Sequence, residues 1–140
     1  MTYSVNFANY TIGEDAYQNV REVCRHYGKK ALLIGGEMAL KAGKEKLIQA
    51  LASEIQIVDT VLFGTDCTYA RMEELAEHAK KCGADMIFGM GGGKALDTAK
   101  GTAEKAGLPV FTFPTIAATC AATTALSVVY KEDGNFDSFY

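Results

Sequence analysis

Apolar positions along the chain alternate between a helical and an extended period. Over residues 13–28, Ala16, Val20, Val23, Cys24 and Tyr27 share one helical face, and Gly28 stands where a helix would end on a left-handed residue. "KALLIGG" predicts a short strand over Lys30 to Ile34, stopped by Gly35 and Gly36. "EMALKAGKEKLIQALAS" returns to a helical period with Leu40, Leu47, Ile48 and Leu51 on its core side, and Gly43 marks a break or bend. "EIQIVDTVLF" predicts a second strand ending at Gly64. Residues 68–82 give the clearest helix: Tyr69, Met72, Leu75, Ala76, Ala79 and Cys82 form its stripe, and Gly83 follows. "DMIFGM" predicts a third strand, residues 94–106 a helix closed by Gly107, and "LPVFTFP" a fourth strand. After the small-residue stretch "TIAATCAATTA", two β-like runs flank Asp133-Gly134, a hairpin signal.

Short apolar strands alternating with helices predict an α/β fold: a Rossmann-like, doubly wound, mainly parallel sheet with helices on both faces, plus a C-terminal β-hairpin. In such sheets ligands bind outside the carboxyl ends of the strands. No helix follows the hairpin to cover it. That implies an N-terminal domain, residues 1–140, of a longer protein.

Composition narrows the class without naming it. Of the 140 residues 49% are apolar and 22% charged, and the net charge of −3 is well mixed along the chain. This excludes a basic nucleic-acid surface and a polybasic membrane patch, and no apolar run reaches the ~18 residues of a membrane span. The first residues, "MTYSVNFANYTIGED", lack the pattern of a signal peptide, so a cytoplasmic location is expected. Cys24, Cys67, Cys82 and Cys120 form no C-x-x-C pair, and His26 and His78 fall on different predicted helices. No zinc site is expected, and the cysteines read as reduced, mostly buried thiols.

The chemistry concentrates at "DMIFGMGGGKALDTAKG". Gly91, Gly92 and Gly93 fall between a buried strand and a helix. Missing Cβ atoms permit positive φ and close ligand approach, and the helix N-terminus offers free N–H groups and partial positive charge. That combination suits a pyrophosphate, with Lys94 adding charge; the alternative is a tight turn with no ligand. Asp97 in the first turn suits the helix dipole with or without one. The motif is not Walker A, because Phe88 and Ala95 replace its first glycine and its Ser/Thr. It is not the G-x-G-x-x-G fingerprint either, because Lys94 replaces the last glycine.

A second loop, "FPTIAATCAATTALS", follows the fourth strand and carries Thr115, Thr119, Thr123 and Thr124. Neighbouring strand ends would set it beside the glycine turn; the alternative is a small-residue helix packed on the sheet. A third place is Gly35-Gly36-Glu37. An acidic side chain after a strand commonly binds an adenosine ribose, though Glu37 also reads as a plain helix-start carboxylate.

The two loops together carry a resemblance. "GMGGGKALDTAKG" resembles the G-G-G-[SK]-x-x-D-x-A-K signature of the iron-containing alcohol dehydrogenase superfamily, in its glycerol dehydrogenase-like branch. "LPVFTFPTIAATCAATTALSVVYKEDGNF" is similar to the segment that follows it there, and nearly the whole chain matches that family's N-terminal domain. The resemblance implies a nucleotide domain that binds NAD or NADP, followed by an all-helical domain. It implies hydride transfer between nicotinamide and a small alcohol, with zinc or iron polarising the substrate oxygen. Carried over by motif position, Gly93, Lys94, Ala95, Leu96 and Asp97 line the cofactor, as do Thr115, Ala118, Thr124, Leu126 and Tyr130 of the second loop.

The match departs from the family in three ways. Its metal ligands, an aspartate and two histidines, belong to the helical domain, and neither His26 nor His78 matches them. Glycerol dehydrogenases carry an aspartate near the substrate in a "T-D-A-P-T-S" stretch, where this chain has Cys120. A hydroxycarboxylate dehydrogenase branch also has "TIAATCAA", and losing that negative charge suits a carboxylate-bearing substrate; Cys120 reads equally as a packing residue. The aspartate that disfavours a 2′-phosphate aligns with Gly36, next to Glu37, which leaves NAD and NADP as alternatives. The expected partner is a small alcohol, polyol or 2-hydroxy acid, with a homo-oligomer left open. The competing reading is a stand-alone nucleotide- or phosphate-binding module without redox activity.

Overall fold

A computed structural model describes residues 9–117 and 119–140. Four parallel strands form one sheet in the order β2-β1-β3-β4: β1 Lys30–Gly35, β2 Gln56–Leu62, β3 Met86–Gly91 and β4 Val110–Pro114. Helices α2 Glu37–Leu51, α3 Tyr69–Cys82 and α4 Gly93–Ala106 connect them. Strands β5 Val128–Tyr130 and β6 Phe136–Phe139 make a separate antiparallel hairpin.

The side-chain period of two divides each central strand between two cores. Ala31 and Leu33 of β1 join Met86, Phe88 and Met90 of β3 under α2, with Leu47 and Leu51. Leu32, Ile34 and Ile87 point the other way, onto Leu75 and Ala79 of α3 and Ala99 and Ala103 of α4. The near-continuous apolar runs of β1 and β3 are thus explained by burial on both faces.

The first predicted helix is much shorter than 13–28. A 3-10 turn, Ala16–Asn19, leads into α1, Val20–Cys24. Gly28 does not cap it; at φ +150 it lies against Asp85, whose carboxylate accepts from the N–H groups of Lys29 and Lys30. The chain must turn there to enter β1. Val23 and Tyr27 accordingly stay exposed, as does Ile48 on α2, although the periodicity puts all three inside. Gly43 does not break α2: it is buried, and a Cβ there would lie 2.9 Å from Met90 Sδ, so the glycine serves a close approach of helix to sheet.

The hairpin packs across α3 and α4. Val129 is buried with Cys67 and Met72, the Tyr130 N–H donates to Cys67 O, and Tyr69 Oη lies 2.8 Å from Ser138 Oγ. Among the described residues no helix is long and apolar enough to cross a membrane.

Candidate functional site

The chain leaves β1 toward β2 on one side and reaches β3 on the other, so the carboxyl ends of β1 and β3 form the switch point of the sheet. The two ends are tied together there by Gly36 N–H, which donates to Met90 O at 3.2 Å, and the end of β4 is tied to β3 by Thr115 N–H, which donates to Gly91 O at 3.1 Å. A cleft of about 460 Å³ opens over them. Its walls are Gly36, Glu37, Met38 and Ala39 from the start of α2, Gly91 to Ala95 from the glycine turn, Phe63 after β2, and Thr115 after β4.

Two helix N-termini open on this one cleft. Helix α2 is capped by Gly36 and α4 by Gly92, and neither cap has a side-chain hydrogen bond. The first helical N–H groups satisfied within the fold are Leu40, donating to Gly36 O, and Leu96, donating to Gly92 O. The preceding amides, Glu37–Ala39 and Gly93–Ala95, face the cleft without an intrahelical acceptor. By contrast α3 is closed by its own Thr68, whose hydroxyl accepts from Arg71 N–H. Gly91 takes φ +147, and a Cβ on it would sit 2.9 Å from Ala95 Cβ. A Cβ on Gly92 would touch Ile116 Cδ1 at 3.0 Å. The turn therefore requires bare backbone, and bare backbone is what lets an anion approach the amides.

The charged residues beside the cleft are partnered. Glu37 accepts from Lys41 at 3.3 Å and stays exposed. Lys94 is held by Asp66 and lies 4.9 Å over the Tyr130 ring. The hydrogen bond to Asp66 is the main reason its pKa is raised above the usual 10.5.

Of the residues singled out in the sequence, Gly36, Glu37, Gly91, Gly92, Gly93, Lys94, Ala95 and Thr115 meet at the cleft. Leu96 and Asp97 do not line it. Leu96 is fully buried in the core, and Asp97, 7% exposed, turns inward on α4. There Asp97 Oδ1 pairs with Lys100 Nζ at 2.9 Å and Oδ2 accepts from Val128 N–H at 3.0 Å. Lys100 in turn donates to Thr124 O and Leu126 O, so the carry-over positions Thr124 and Leu126 are fixed through their backbone. Tyr130 reaches the site through Lys94. Cys120 is exposed on the loop after β4, and Ala118 lies outside the described residues. Sequence reasoning missed Phe63 and Lys100. The position of Phe63 just before the strand-ending Gly64 was a usable signal; the i, i+3 spacing of Asp97 and Lys100 was another.

All four cysteines are free, but only Cys24 and Cys67 are buried; Cys82 is half-buried and Cys120 exposed, against the expectation of mostly buried thiols. Burial pushes Cys24 up to about 12 and Cys67 up to about 11.

The sheet order, the helices on both faces and the switch-point cleft define a Rossmann-like α/β domain. The family model of the iron-containing alcohol dehydrogenases matches residues 8–139. Glycerol dehydrogenase from Pseudomonas putida is 35% identical over 130 residues, covering 93% of this chain and 36% of the relative. Hydroxycarboxylate dehydrogenase A from Escherichia coli K12 is 40% identical over 107 residues, covering 75% of this chain and 28% of the relative. The crystal structure of glycerol dehydrogenase from Schizosaccharomyces pombe superposes with a TM-score of 0.76 at 27% identity, over 89% of this chain and 32% of that one. The chain belongs to the iron-containing alcohol dehydrogenase family. It spans about a third of the length of the curated relatives it matches.

Proposed function

We propose that residues 1–140 form the dinucleotide-binding domain of a metal-dependent dehydrogenase that uses NAD or NADP. The observation that carries this reading is the pair of glycine-capped helix N-termini, α2 and α4, opening on one cleft at the β1/β3 switch point. The residues fit such a cofactor. The amides of Gly93, Lys94 and Ala95 would hold the pyrophosphate, with Lys94 screening its charge. Glu37, at the first turn of α2, stands where an adenosine ribose would meet it, and its carboxylate opposes a 2′-phosphate. Thr115 and the loop held by Lys100 would close the nicotinamide side. Bound there, the nicotinamide supplies the hydride acceptor or donor for interconverting an alcohol and a carbonyl. The family's metal set of one aspartate and two histidines has no counterpart among the described residues, whose histidines follow α1 and lie on α3. The metal enters this reading through the family alone.

The relatives and Cys120 support a reading of the substrate class. A glycerol dehydrogenase and a hydroxycarboxylate dehydrogenase both match the chain. A small polyol or alcohol is the leading substrate and a 2-hydroxy acid the alternative, favoured by Cys120 standing where glycerol dehydrogenases carry an aspartate. In the whole enzyme, Cys120→Asp should move preference from 2-hydroxy acids toward polyols; unchanged selectivity removes the charge argument.

The test of the domain reading is calorimetric titration of NADH and NADPH into the 140-residue chain. Saturable binding that is lost in Gly92→Val is expected. A folded sample that binds neither refutes the cofactor site. Pyrophosphate binding as tightly as NADH supports the stand-alone phosphate module instead.

A further inference from the structure

A second cluster of chemistry lies on the outer edge strand, away from the glycine cleft. The β1–β2 pairing slips by one residue: Ala31 pairs with Ile57, but Leu32 pairs with Asp59. In an unbroken strand Ile57 and Asp59 would share a face. The slip separates them. Ile57 packs with the α2 side, whereas Asp59 joins the face of Leu32 and Val61, toward α3. On α3, His78 and Cys82 are four residues apart and so project side by side. The result is that Asp59 Oδ2 lies 2.7 Å from His78 Nε2, and Cys82 Sγ lies 3.4 Å from the same nitrogen. All three donor atoms fall within 4.8 Å of one another.

We propose that Asp59, His78 and Cys82 form a binding site for a divalent transition-metal ion of zinc type, clipping the edge strand β2 to α3. One imidazole nitrogen, one thiolate and one carboxylate are the donor set such an ion selects. Tetrahedral bonds of about 2.0–2.3 Å require donor separations of roughly 3.3–3.6 Å. The sulfur–nitrogen separation is already there, and the carboxylate must draw back by about half an ångström from its hydrogen bond. The supporting shell is in place, because the other carboxylate oxygen of Asp59 accepts from Thr60 N–H at 2.8 Å, leaving Oδ2 for the ion. His78 also lines an open hollow of about 270 Å³ with Glu74 and Lys81, which gives the fourth position to water. The thiol and the imidazole nitrogen release any proton they carry when the metal enters. Spacing alone predicts no zinc site, because the strand slip that delivers Asp59 leaves no mark in the sequence.

Cobalt(II) is the probe, titrated into the 140-residue chain. One equivalent should produce the thiolate-to-cobalt charge-transfer band and the visible bands of a tetrahedral ion, and zinc should bleach both. Cys82→Ser should abolish the charge-transfer band. Asp59→Asn and His78→Ala, on separate elements, should each weaken binding by at least ~10-fold, the lower bound even for outer-shell changes. Cys120→Ser should leave the spectrum unchanged. Circular dichroism checks that each variant is folded, and because three variants probe the site, loss of one to misfolding leaves two. No thiolate band at one equivalent, or a band that survives Cys82→Ser or vanishes in Cys120→Ser, overturns the site.

Discussion

Replacing Lys100 with methionine keeps an unbranched apolar stem, one atom shorter, and deletes the charge. In the structure Lys100 Nζ lies 2.9 Å from Asp97 Oδ1 and donates to Thr124 O at 3.1 Å, Thr124 Oγ1 at 3.2 Å and Leu126 O at 2.6 Å. The Lys100 and Asp97 side chains are only 8% and 9% exposed. Lys100→Met therefore leaves a buried carboxylate with one described donor, Val128 N–H, and two backbone carbonyls without theirs. Breaking a buried pair on one side costs about 3–5 kcal/mol. The surviving bond to Val128 puts the expected loss near the lower end, about 3 kcal/mol. With a urea slope of about 2 kcal/mol/M, the midpoint should fall by about 1.5 M. Hydrogen exchange should show the opening as local first, at Val128 and Tyr140, whose amides are held by Asp97 and Ser127. The pair predicts non-additivity as well: Asp97→Asn with Lys100→Met should cost at least ~1 kcal/mol less than the two single losses summed. A loss under about 1 kcal/mol for Lys100→Met, or strict additivity, refutes the view that this pair holds the second loop in place.

The remaining predictions concern the cleft and the thiols. Gly91→Ala forces a Cβ to 2.9 Å from Ala95 Cβ at φ +147, so it should cost about 1–3 kcal/mol in chemical denaturation and weaken dinucleotide binding with it. Lys94 gains its raised pKa first from Asp66, so its stabilisation is complete below the unfolded lysine value and is lost as pH rises through the folded one. Asp66→Asn should flatten that alkaline loss and return the Lys94 pKa toward 10.5, as read by NMR. Alkylation at pH 8 followed by mass spectrometry should label exposed Cys120 first, while Cys24, pushed up to about 12, and Cys67, up to about 11, react only after denaturation. Labelling of Cys24 in the native protein at the rate of Cys120 would contradict the burial described for it.

The candidate site was legible where its signal is local. Three consecutive glycines between an apolar strand and a helix can be read from residue types, because the need for positive φ and for missing Cβ atoms is a property of the backbone itself. The structure then shows which of those needs is met where: Gly91 has the positive φ, and Gly92 lies closest to Ile116. Asp97 illustrates the opposite case. Its place in the signature makes it a cofactor residue by motif, and the structure adds contacts that the motif does not report: on α4 it faces inward and holds Lys100 and Val128. Residues 124–128 are separated from Asp97 by most of a helix, a strand and a loop, so no local pattern could report that contact.

The sequence by itself determined the alternation of strands and helices, the parallel sheet buried on both faces and the glycine turn at a strand's carboxyl end. Each of these follows from the hydrophobic period or from glycine chemistry within a few residues. Only the tertiary structure decided that α2 and α4 both open their N-termini on one cleft, because that depends on the strand order β2-β1-β3-β4. It also decided that the helix predicted over 13–28 stops at Cys24, since the turn into β1 is set by Asp85 from the bend just before β3. The one-residue slip that turns Asp59 toward His78 and Cys82 has the same origin. Period and propensity act between neighbours in the chain, whereas register and strand order arise from contacts between segments far apart in it.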